Sequence, residues 1–287
     1  MKFLFHLTFA LGLAAASLPA YSAISCSLTP NPSQVNLTYD GTTQTATGTL
    51  NMTCTRGLFD GRPDIWIGMD QVASGRNAMQ EAGHTLNYTV YHNTTNAGIW
   101  LNTGGVTPGS SSNGAIVDPL DFPLLVFTKS ESYRFFLRVP GVGTRPAGDY
   151  QDSIPITLRL NNQSGTVLVN TTLNVSINVP KSCRFSTPPP AIGITYPAFS
   201  PTAVTGRSDF AVTCTLGTSY ELLLDATRSV VPNVQLAYSL SLSAVGGSGT
   251  AAAQPYRINI SVDPGQAGRC SGSTCTGQDY RTLTIRY

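Results

Sequence analysis

Six cysteines are the residues of this chain whose chemistry is easiest to assign. An even number of cysteines in an exported protein is normally paired into disulfides. The spacings match no zinc-binding pattern, and the chain has only 3 histidines to complete one. We therefore expect disulfides, and neither a metal site nor a cofactor, from the following set: Cys26, Cys54, Cys183, Cys214, Cys270 and Cys275.

No motif indicates catalysis. The sequence lacks a nucleophile elbow, a His-Glu-x-x-His pair, a phosphate-binding loop and a dinucleotide-binding glycine pattern. His84 and His92 are interpreted as structural residues. Two pairs of carboxylates, Asp118 with Asp121 and Asp149 with Asp152, could in principle act as an acid and a base. Each pair is more simply interpreted as turn or loop residues. We expect that the chain is not an enzyme.

The composition favours a β-rich, weakly charged protein. The 287 residues include 17 Lys+Arg and 15 Asp+Glu, so the net charge of +2 provides no basis for binding nucleic acid by charge. With 27 Gly, 19 Pro and few Glu or Lys residues, long surface helices are disfavoured. An all-β fold with many turns is predicted.

The first residues have the pattern of a secretory signal peptide. Lys2 precedes the apolar run 3–16, and small residues follow as far as Ala23. The apolar run is too short for a stable membrane span. We predict a signal peptide over residues 1–23, cleaved after Ser22 or Ala23, and therefore an exported protein.

The remainder of the chain contains two copies of one unit. Six segments recur in the same order, pairing 35–39 with 192–196, 46–48 with 204–206, 53–57 with 213–217, 66–70 with 222–225, 86–90 with 236–240, and 154–158 with 283–287. The repeat suggests one disulfide inside each copy, Cys26–Cys54 and Cys183–Cys214, with Cys270–Cys275 as the third.

Both copies consist of alternating segments separated by turn residues, as in two immunoglobulin-like β-sandwich domains. The clearest period-2 signal lies at the end of copy one, where one parity holds Val167, Val169, Leu173, Val175, Ile177 and Val179. Copy two has no counterpart of this strand before Tyr287. We predict a first domain over 24–180 and a second domain over 181–287 that lacks its final strand.

These features carry a family resemblance. The spacing from Cys to Cys-Thr-x-Gly, the Leu-x-Tyr segment, the glycine turn before a Thr-rich terminal strand and the low lysine content resemble the spore coat protein U domain. That domain builds the subunits of archaic, Csu-type chaperone–usher pili. A signal peptide followed by two such domains is similar to the two-domain tip adhesins of these pili.

The resemblance implies a fold, partners and a location. Each such domain is an incomplete sandwich that is completed by a strand from a neighbour. The implied partners are a periplasmic pilus chaperone, an outer-membrane usher and an adjacent pilin subunit that donates a strand. Segment 167–179 would complete the first domain in cis, and the second domain would accept a strand in trans. Because only two or three mature residues precede Cys26, we expect no donor extension and therefore a position at the pilus tip, on the cell surface. The alternative is a secreted structural coat or envelope protein of the spore coat U type.

Apolar loop residues of the first domain are the candidate binding surface. We expect them to protrude as an exposed patch that binds hydrophobic abiotic or host surfaces and initiates biofilm, through Leu58, Phe59, Ile116, Val117, Leu120, Phe122, Leu124 and Leu125. The alternative is that these segments pack under their own loops. Ile99, Trp100 and Leu101 form a further candidate, although the tryptophan also fits a core position.

Overall fold

The structure of this protein is a computed structural model, which describes residues 24–57, 61–80, 82–122, 126–270, 272 and 274–287. Every regular element in these ranges is a β-strand. The strands form two sets with separate hydrophobic cores. The predicted all-β fold of two sandwich domains is therefore confirmed.

The first domain contains eleven strands within the described ranges. They are β1 (Ser25–Asn31), β2 (Gln34–Thr38), β3 (Gln44–Thr55), β4 (Asp64–Met69), β5 (Arg76–Met79), β6 (Thr85–Thr94), β7 (Ala97–Val106), β8 (Gly114–Pro119), β9 (Thr128–Val139), β10 (Gly148–Leu160) and β11 (Val167–Val179). Their order is β1-β3-β9-β6-β7-β8-β4-β10-β11-β2, with β5 bridging β10 and β6.

Strands β7 and β8 join the two layers of the first sandwich. β7 pairs with β6 at Ile99 and then leaves it to run parallel to β8. Its later residues cover the outer side of β4, so that Trp66 is buried. A Cβ atom at Gly105 would lie 2.9 Å from the Trp66 ring, so this crossing requires glycine. Strands β7 and β8 therefore belong to the sandwich, while the turn 107–113 that joins them is mostly exposed.

The second domain is smaller. Its described strands are β12 (Cys183–Thr187), β13 (Val204–Cys214), β14 (Ser219–Leu224), β15 (Arg228–Val231), β16 (Leu236–Leu242), β17 (Gly246–Ser248), β18 (Gln254–Val262) and β19 (Leu283–Arg286). They form a five-stranded sheet, β12-β13-β18-β16-β15, and a three-stranded sheet, β17-β14-β19.

The cysteines pair as the repeat suggests. Cys26 is bonded to Cys54 and Cys183 to Cys214, at Cα–Cα distances of 4.0 and 4.1 Å. Each bond links the first strand of a domain to its neighbour in the sheet. The third disulfide is Cys270–Cys275. All three predicted disulfides are confirmed.

Strand β11 has the predicted bounds and nearly the predicted facing. Leu173, Val175, Ile177 and Val179 are buried in the first core. Val169 is half-buried. Val167 is 41% exposed, and its predicted inward facing is wrong. The reason is a shift in the β10–β11 register between Leu158 and Arg159, which removes Val167 from the inward series.

No helix in the described ranges has the length and apolar character to cross a membrane.

Candidate functional site

One end of the first domain carries the predicted binding loops. We call it the far pole and define it as the described residues of 56–63 and 120–127. The amide of Arg56 donates to Phe127 O at 2.9 Å, and the amide of Leu120 donates to Pro63 O at 3.0 Å. These bonds hold the two loops side by side. An exposed ion pair between Arg62 and Asp121, 3.7 Å apart, lies at the rim.

The far pole and the linker to the second domain lie at opposite ends of β10. Asn161, just after β10, donates to Asp64 O at this end, and Gly148 pairs with Val179 at the opposite end. The 13 residues of β10 span about 40 Å between these ends. The far pole therefore points away from the linker 180–182.

Three predicted surface residues are part of the core, so their assignment to an exposed patch is wrong. Ile116 and Phe122 are each 1% exposed, and Leu120 is 0% exposed. β8 pairs with β4 and sets Ile116 opposite Ile67. The guanidinium of Arg56 covers the Phe122 ring at 4.7 Å. Because β8 pairs with β4 as part of the sandwich, the side chains of Ile116, Leu120 and Phe122 are buried in the core.

The other predicted surface residues have different outcomes. Val117 is half-buried. Leu58, Phe59, Leu124 and Leu125 lie outside the described residues. Trp100 is fully buried in the core and donates to Ile67 O at 2.8 Å, whereas Ile99 and Leu101 are half-buried.

Two exposed apolar residues of the far pole were missed by the sequence analysis. Val126 and Phe127 are each 40% exposed. The signal was present, because the apolar run that begins at Phe122 continues to Phe127. Val126 and Phe127 are therefore the described residues that expose apolar surface at the far pole.

The four carboxylates weighed as acid–base pairs all have structural partners. Asp118 accepts a hydrogen bond from Tyr133 at 2.7 Å, and Asp149 accepts one from Asn178 at 2.6 Å. Asp121 belongs to the rim ion pair. Asp152 is tied to Arg76 and Tyr88.

The Asp152 group is strongly coupled. Arg76 Nε and Nη2 lie 2.7 and 3.0 Å from its two carboxylate oxygens, and Tyr88 donates to it at 2.6 Å. Burial by itself would raise the pKa of Asp152, but these hydrogen bonds outweigh burial and lower the pKa. Burial and the neighbouring carboxylate raise the pKa of Tyr88. At neutral pH the group is an ion pair that ties β10 to β5 and β6.

Neither of two cavities formed by the described residues offers a nucleophile–base pair. One, of about 550 Å³, lies on the outer face of β13, β18 and β16 and is lined by Ser, Thr, Asn and Arg side chains without a general base. The other, of about 210 Å³, contains Asp70 and Asp152, which both contact Arg76. Among the described residues, no group of three or more His, Cys, Asp or Glu side chains is placed to hold a metal ion.

The second domain has an open edge beside β19. In the first domain, β11 lies between β10 and β2, antiparallel to the former and parallel to the latter. In the second domain, β19 pairs with β14 on one side, and no described strand pairs with its other side. Segment 192–196, the repeat counterpart of β2, forms no strand.

Matched residues at this edge differ in burial between the domains. Val35 and Tyr39 are 2% and 1% exposed, and Ile154 and Ile156 are both 0% exposed. Their four counterparts are only half-buried, although they pack against the second core, namely Ile192, Tyr196, Leu283 and Ile285. The difference lies along the line that β11 occupies in the first domain. We call this line the acceptor edge.

The chain matches the family model described as Spore Coat Protein U domain over residues 12–157 and 169–258. No curated protein matches it. One similar solved structure is the CsuC–CsuE chaperone–tip adhesion subunit pre-assembly complex of Acinetobacter baumannii, with 13% identity, a TM-score of 0.44, and coverage of 92% of this chain and 100% of that chain. Another is the CupB6 tip adhesin of Pseudomonas aeruginosa, with 10% identity, a TM-score of 0.35, and coverage of 87% and 91%. The CooA pilin subunit of enterotoxigenic Escherichia coli has 14% identity, a TM-score of 0.36, and coverage of 54% and 99%.

Proposed function

The chain belongs to the Spore Coat Protein U domain family, and we propose that it is the tip adhesin subunit of a chaperone–usher pilus. In this proposal the second domain joins the pilus by accepting a strand from the adjacent pilin subunit. The first domain is complemented in cis by β11 and attaches the cell to surfaces. The role is structural and adhesive rather than catalytic.

The observation that carries the proposal is the contrast in burial at the acceptor edge. The same apolar positions are covered by β11 in the first domain and half-open in the second. A strand added to an open sheet edge satisfies backbone groups and inserts alternate side chains into pockets. Each exposed apolar side chain of the added strand that becomes fully buried contributes about 1.5–3 kcal/mol, and the half-buried residues of the acceptor edge contribute less.

Attachment is assigned to the far pole. It lies at the end of the first domain opposite the linker, and Val126 and Phe127 expose apolar surface there. An exposed apolar patch on an exported protein usually marks a contact surface. We propose that these two residues, together with Leu58, Phe59, Leu124 and Leu125, bind hydrophobic abiotic or host surfaces and begin biofilm formation.

The proposed export route follows from the family. Residues 1–23 would be removed on export, a periplasmic chaperone would protect the acceptor edge, and an outer-membrane usher would exchange the chaperone for the pilin strand. The mature protein would then be displayed on the cell surface at the pilus tip.

A peptide-binding experiment tests strand acceptance. The probe is a synthetic peptide with the sequence of residues 167–179, which already fills the matched position in the first domain. Added to the mature chain, it should slow amide hydrogen exchange in 192–196 and 283–287 and raise the thermal midpoint of the second domain with concentration. The control peptide carries Val175→Asp. Equal protection by both peptides, or by neither, contradicts strand acceptance.

The coat or envelope protein is the alternative function. It requires no chaperone and leaves the acceptor edge unused. Co-expression with a periplasmic pilus chaperone separates the two functions, because the pilus proposal expects a stable one-to-one complex that the 167–179 peptide displaces. A chain that is secreted and stable without chaperone, and that forms no such complex, favours the coat protein.

A further inference from the structure

The cavity of about 550 Å³ lies on the outer face of the five-stranded sheet of the second domain, over β13, β18 and β16. Its volume is in the range of about 300–1,000 Å³ that is typical of sites for small ligands. None of its lining residues belongs to the acceptor edge or to the far pole. The cavity is therefore a feature that the proposed function does not use.

The register of the strands determines which side chains share this face. Residues that are directly opposite each other on antiparallel strands point to the same side of a sheet. Across the three strands such residues form two rows, Arg207–Asn259–Ser241 and Thr205–Ser261–Ser239. All six residues line the cavity. They form one continuous polar surface of hydroxyl, amide and guanidinium groups.

In the first domain the matched part of the sheet carries large side chains. Continuing the repeat by one position pairs Tyr91 with Ser241, and Tyr91 is opposite Phe136 as Ser241 is opposite Asn259. Tyr91 is 8% exposed, and the guanidinium of Arg134 lies 5.7 Å from the centre of the Phe136 ring. The second domain has a serine and an asparagine in place of these two aromatic residues, which leaves this part of its outer face concave.

The polar groups of the first row are not engaged within the chain. The side chains of Arg207, Asn259 and Ser241 form no hydrogen bond or ion pair with another residue of the described ranges. The second arginine of the lining, Arg257, is engaged, since its Nε lies 2.7 Å from a carboxylate oxygen of Asp209. Arg207 is therefore the cation of this lining that can pair with a ligand.

This combination of groups fits a sugar that carries a carboxylate. A guanidinium binds a carboxylate through two parallel hydrogen bonds. Serine, threonine and asparagine side chains both donate and accept hydrogen bonds, as the hydroxyl groups of a sugar ring require. A uronic acid has one carboxylate beside several hydroxyls, and the lining has one unpaired arginine beside several hydroxyls. A densely sulfated or phosphorylated chain would need more cations than this lining provides.

We propose that this cavity binds an acidic polysaccharide built from uronic acid units. Arg207 pairs with the carboxylate of one unit, and Asn259 and Ser241 hydrogen-bond to the ring hydroxyls beside it. The site requires neither strand acceptance at the acceptor edge nor attachment at the far pole, so the inference goes beyond the proposed function. It gives the protein a second kind of contact, with a hydrated polyanion in place of an apolar surface.

Calorimetric titration of the full mature chain with trigalacturonic acid tests the site. The matched probe is the methyl ester of the same trisaccharide, which keeps the ring hydroxyls and removes the charge. The acid should bind about tenfold more tightly than the ester, and its binding should weaken as salt is added. Arg207→Gln should weaken binding of the acid about tenfold, because a charged hydrogen bond is lost. The thermal midpoint of this variant should be unchanged, since Arg207 is exposed.

Two further variants locate the ligand. Ser241→Tyr introduces the residue that the first domain has at the matched position, and it should abolish binding by filling the cavity. Arg286→Gln is the control, since Arg286 is an exposed arginine of β19, in the other sheet of the same domain. It should bind the acid as the wild-type chain does.

Four results would overturn the proposal. The wild-type chain could bind neither probe, or it could bind acid and ester equally, so that the charge has no role. An equal loss of affinity in Arg207→Gln and Arg286→Gln would indicate general charge attraction. Unchanged binding by Ser241→Tyr would place the ligand elsewhere on the protein.

Discussion

The Tyr88 hydroxyl donates a hydrogen bond of 2.6 Å to the carboxylate of Asp152. In the second domain the matched tyrosine, Tyr238, donates to Asp279 at 2.5 Å. The arginine comes from a different element in each domain, since Arg76 begins β5 whereas Arg281 lies two residues beyond Asp279. Each domain therefore contains a group of one tyrosine, one aspartate and one arginine at matched tyrosine positions. In the first domain this group is Tyr88, Asp152 and Arg76, and in the second it is Tyr238, Asp279 and Arg281.

Asp152 should make stability depend on acid pH. Its pKa is lowered in the folded state, so the unfolded chain, with a carboxyl pKa near 3.9, binds protons first as the pH falls. The stabilisation is complete above about pH 5 and is lost as the pH falls through the folded pKa. Asp152→Asn should cost about 1.5–3 kcal/mol at pH 7 and flatten the profile below pH 5. Urea unfolding across pH checks this. Asp149→Asn, at an exposed site, is the control, and an equal loss there would contradict the interpretation.

His92 should add a dependence near neutral pH. Burial lowers its pKa, and its ring packs edge-on against Trp100 with Nε2 3.1 Å from Ser112 O. The unfolded chain, with a histidine pKa near 6.5, therefore takes up the proton first, and stability falls as the pH drops below about 6.5. His92→Gln should remove this part of the decline in thermal midpoint between pH 7 and 5. The control variant His84→Gln, at an exposed site, should keep the full decline in thermal midpoint. An equally reduced decline in both variants would rule out His92 as its source.

The facing of β11 predicts opposite results at adjacent positions. Val175 is 2% exposed, whereas Asn174 is exposed and accepts from the Ser153 hydroxyl at 2.8 Å. Val175→Asp should cost several kcal/mol and abolish periplasmic yield, because a buried carboxylate has no partner there. Asn174→Asp should change the free energy of unfolding by less than about 1 kcal/mol. Yield and thermal melting of the two variants provide the measurement, and comparable damage would reject the facing.

Attachment should depend on the exposed residues of the far pole. Val126→Ser with Phe127→Ser should leave folding and piliation intact and reduce adhesion of piliated cells to polystyrene several-fold, because apolar contact area is lost. Replacing Leu120 and Phe122 instead should unfold the first domain, since both are buried. Val72→Ser, at a site 63% exposed away from this pole, is the control. Normal attachment by the double variant would remove the far pole as the binding surface.

Much of the fold follows from local sequence patterns. The repeat suggested the pairs Cys26–Cys54 and Cys183–Cys214, because two copies of one unit must use their cysteines in the same way. The alternation in 167–179 predicted the strand and the inward facing of Leu173 to Val179, because side chains in a strand alternate between two faces. Val167 departs from this pattern because a register shift is a property of the strand pair and not of one strand.

The candidate surface was decided by tertiary structure. Ile116, Leu120 and Phe122 are buried apolar residues in a segment without clear periodicity. Apolar residue type alone does not distinguish a buried segment from a protruding loop. Burial depends on β7 and β8 crossing between the layers, a contact between residues distant in sequence. Phe199 shows the converse, since nothing in its sequence context indicates a positive φ, which is imposed by Gln266 from 67 positions along the chain. Sequence periodicity determines which residues can face a core, whereas long-range packing determines whether a core is there.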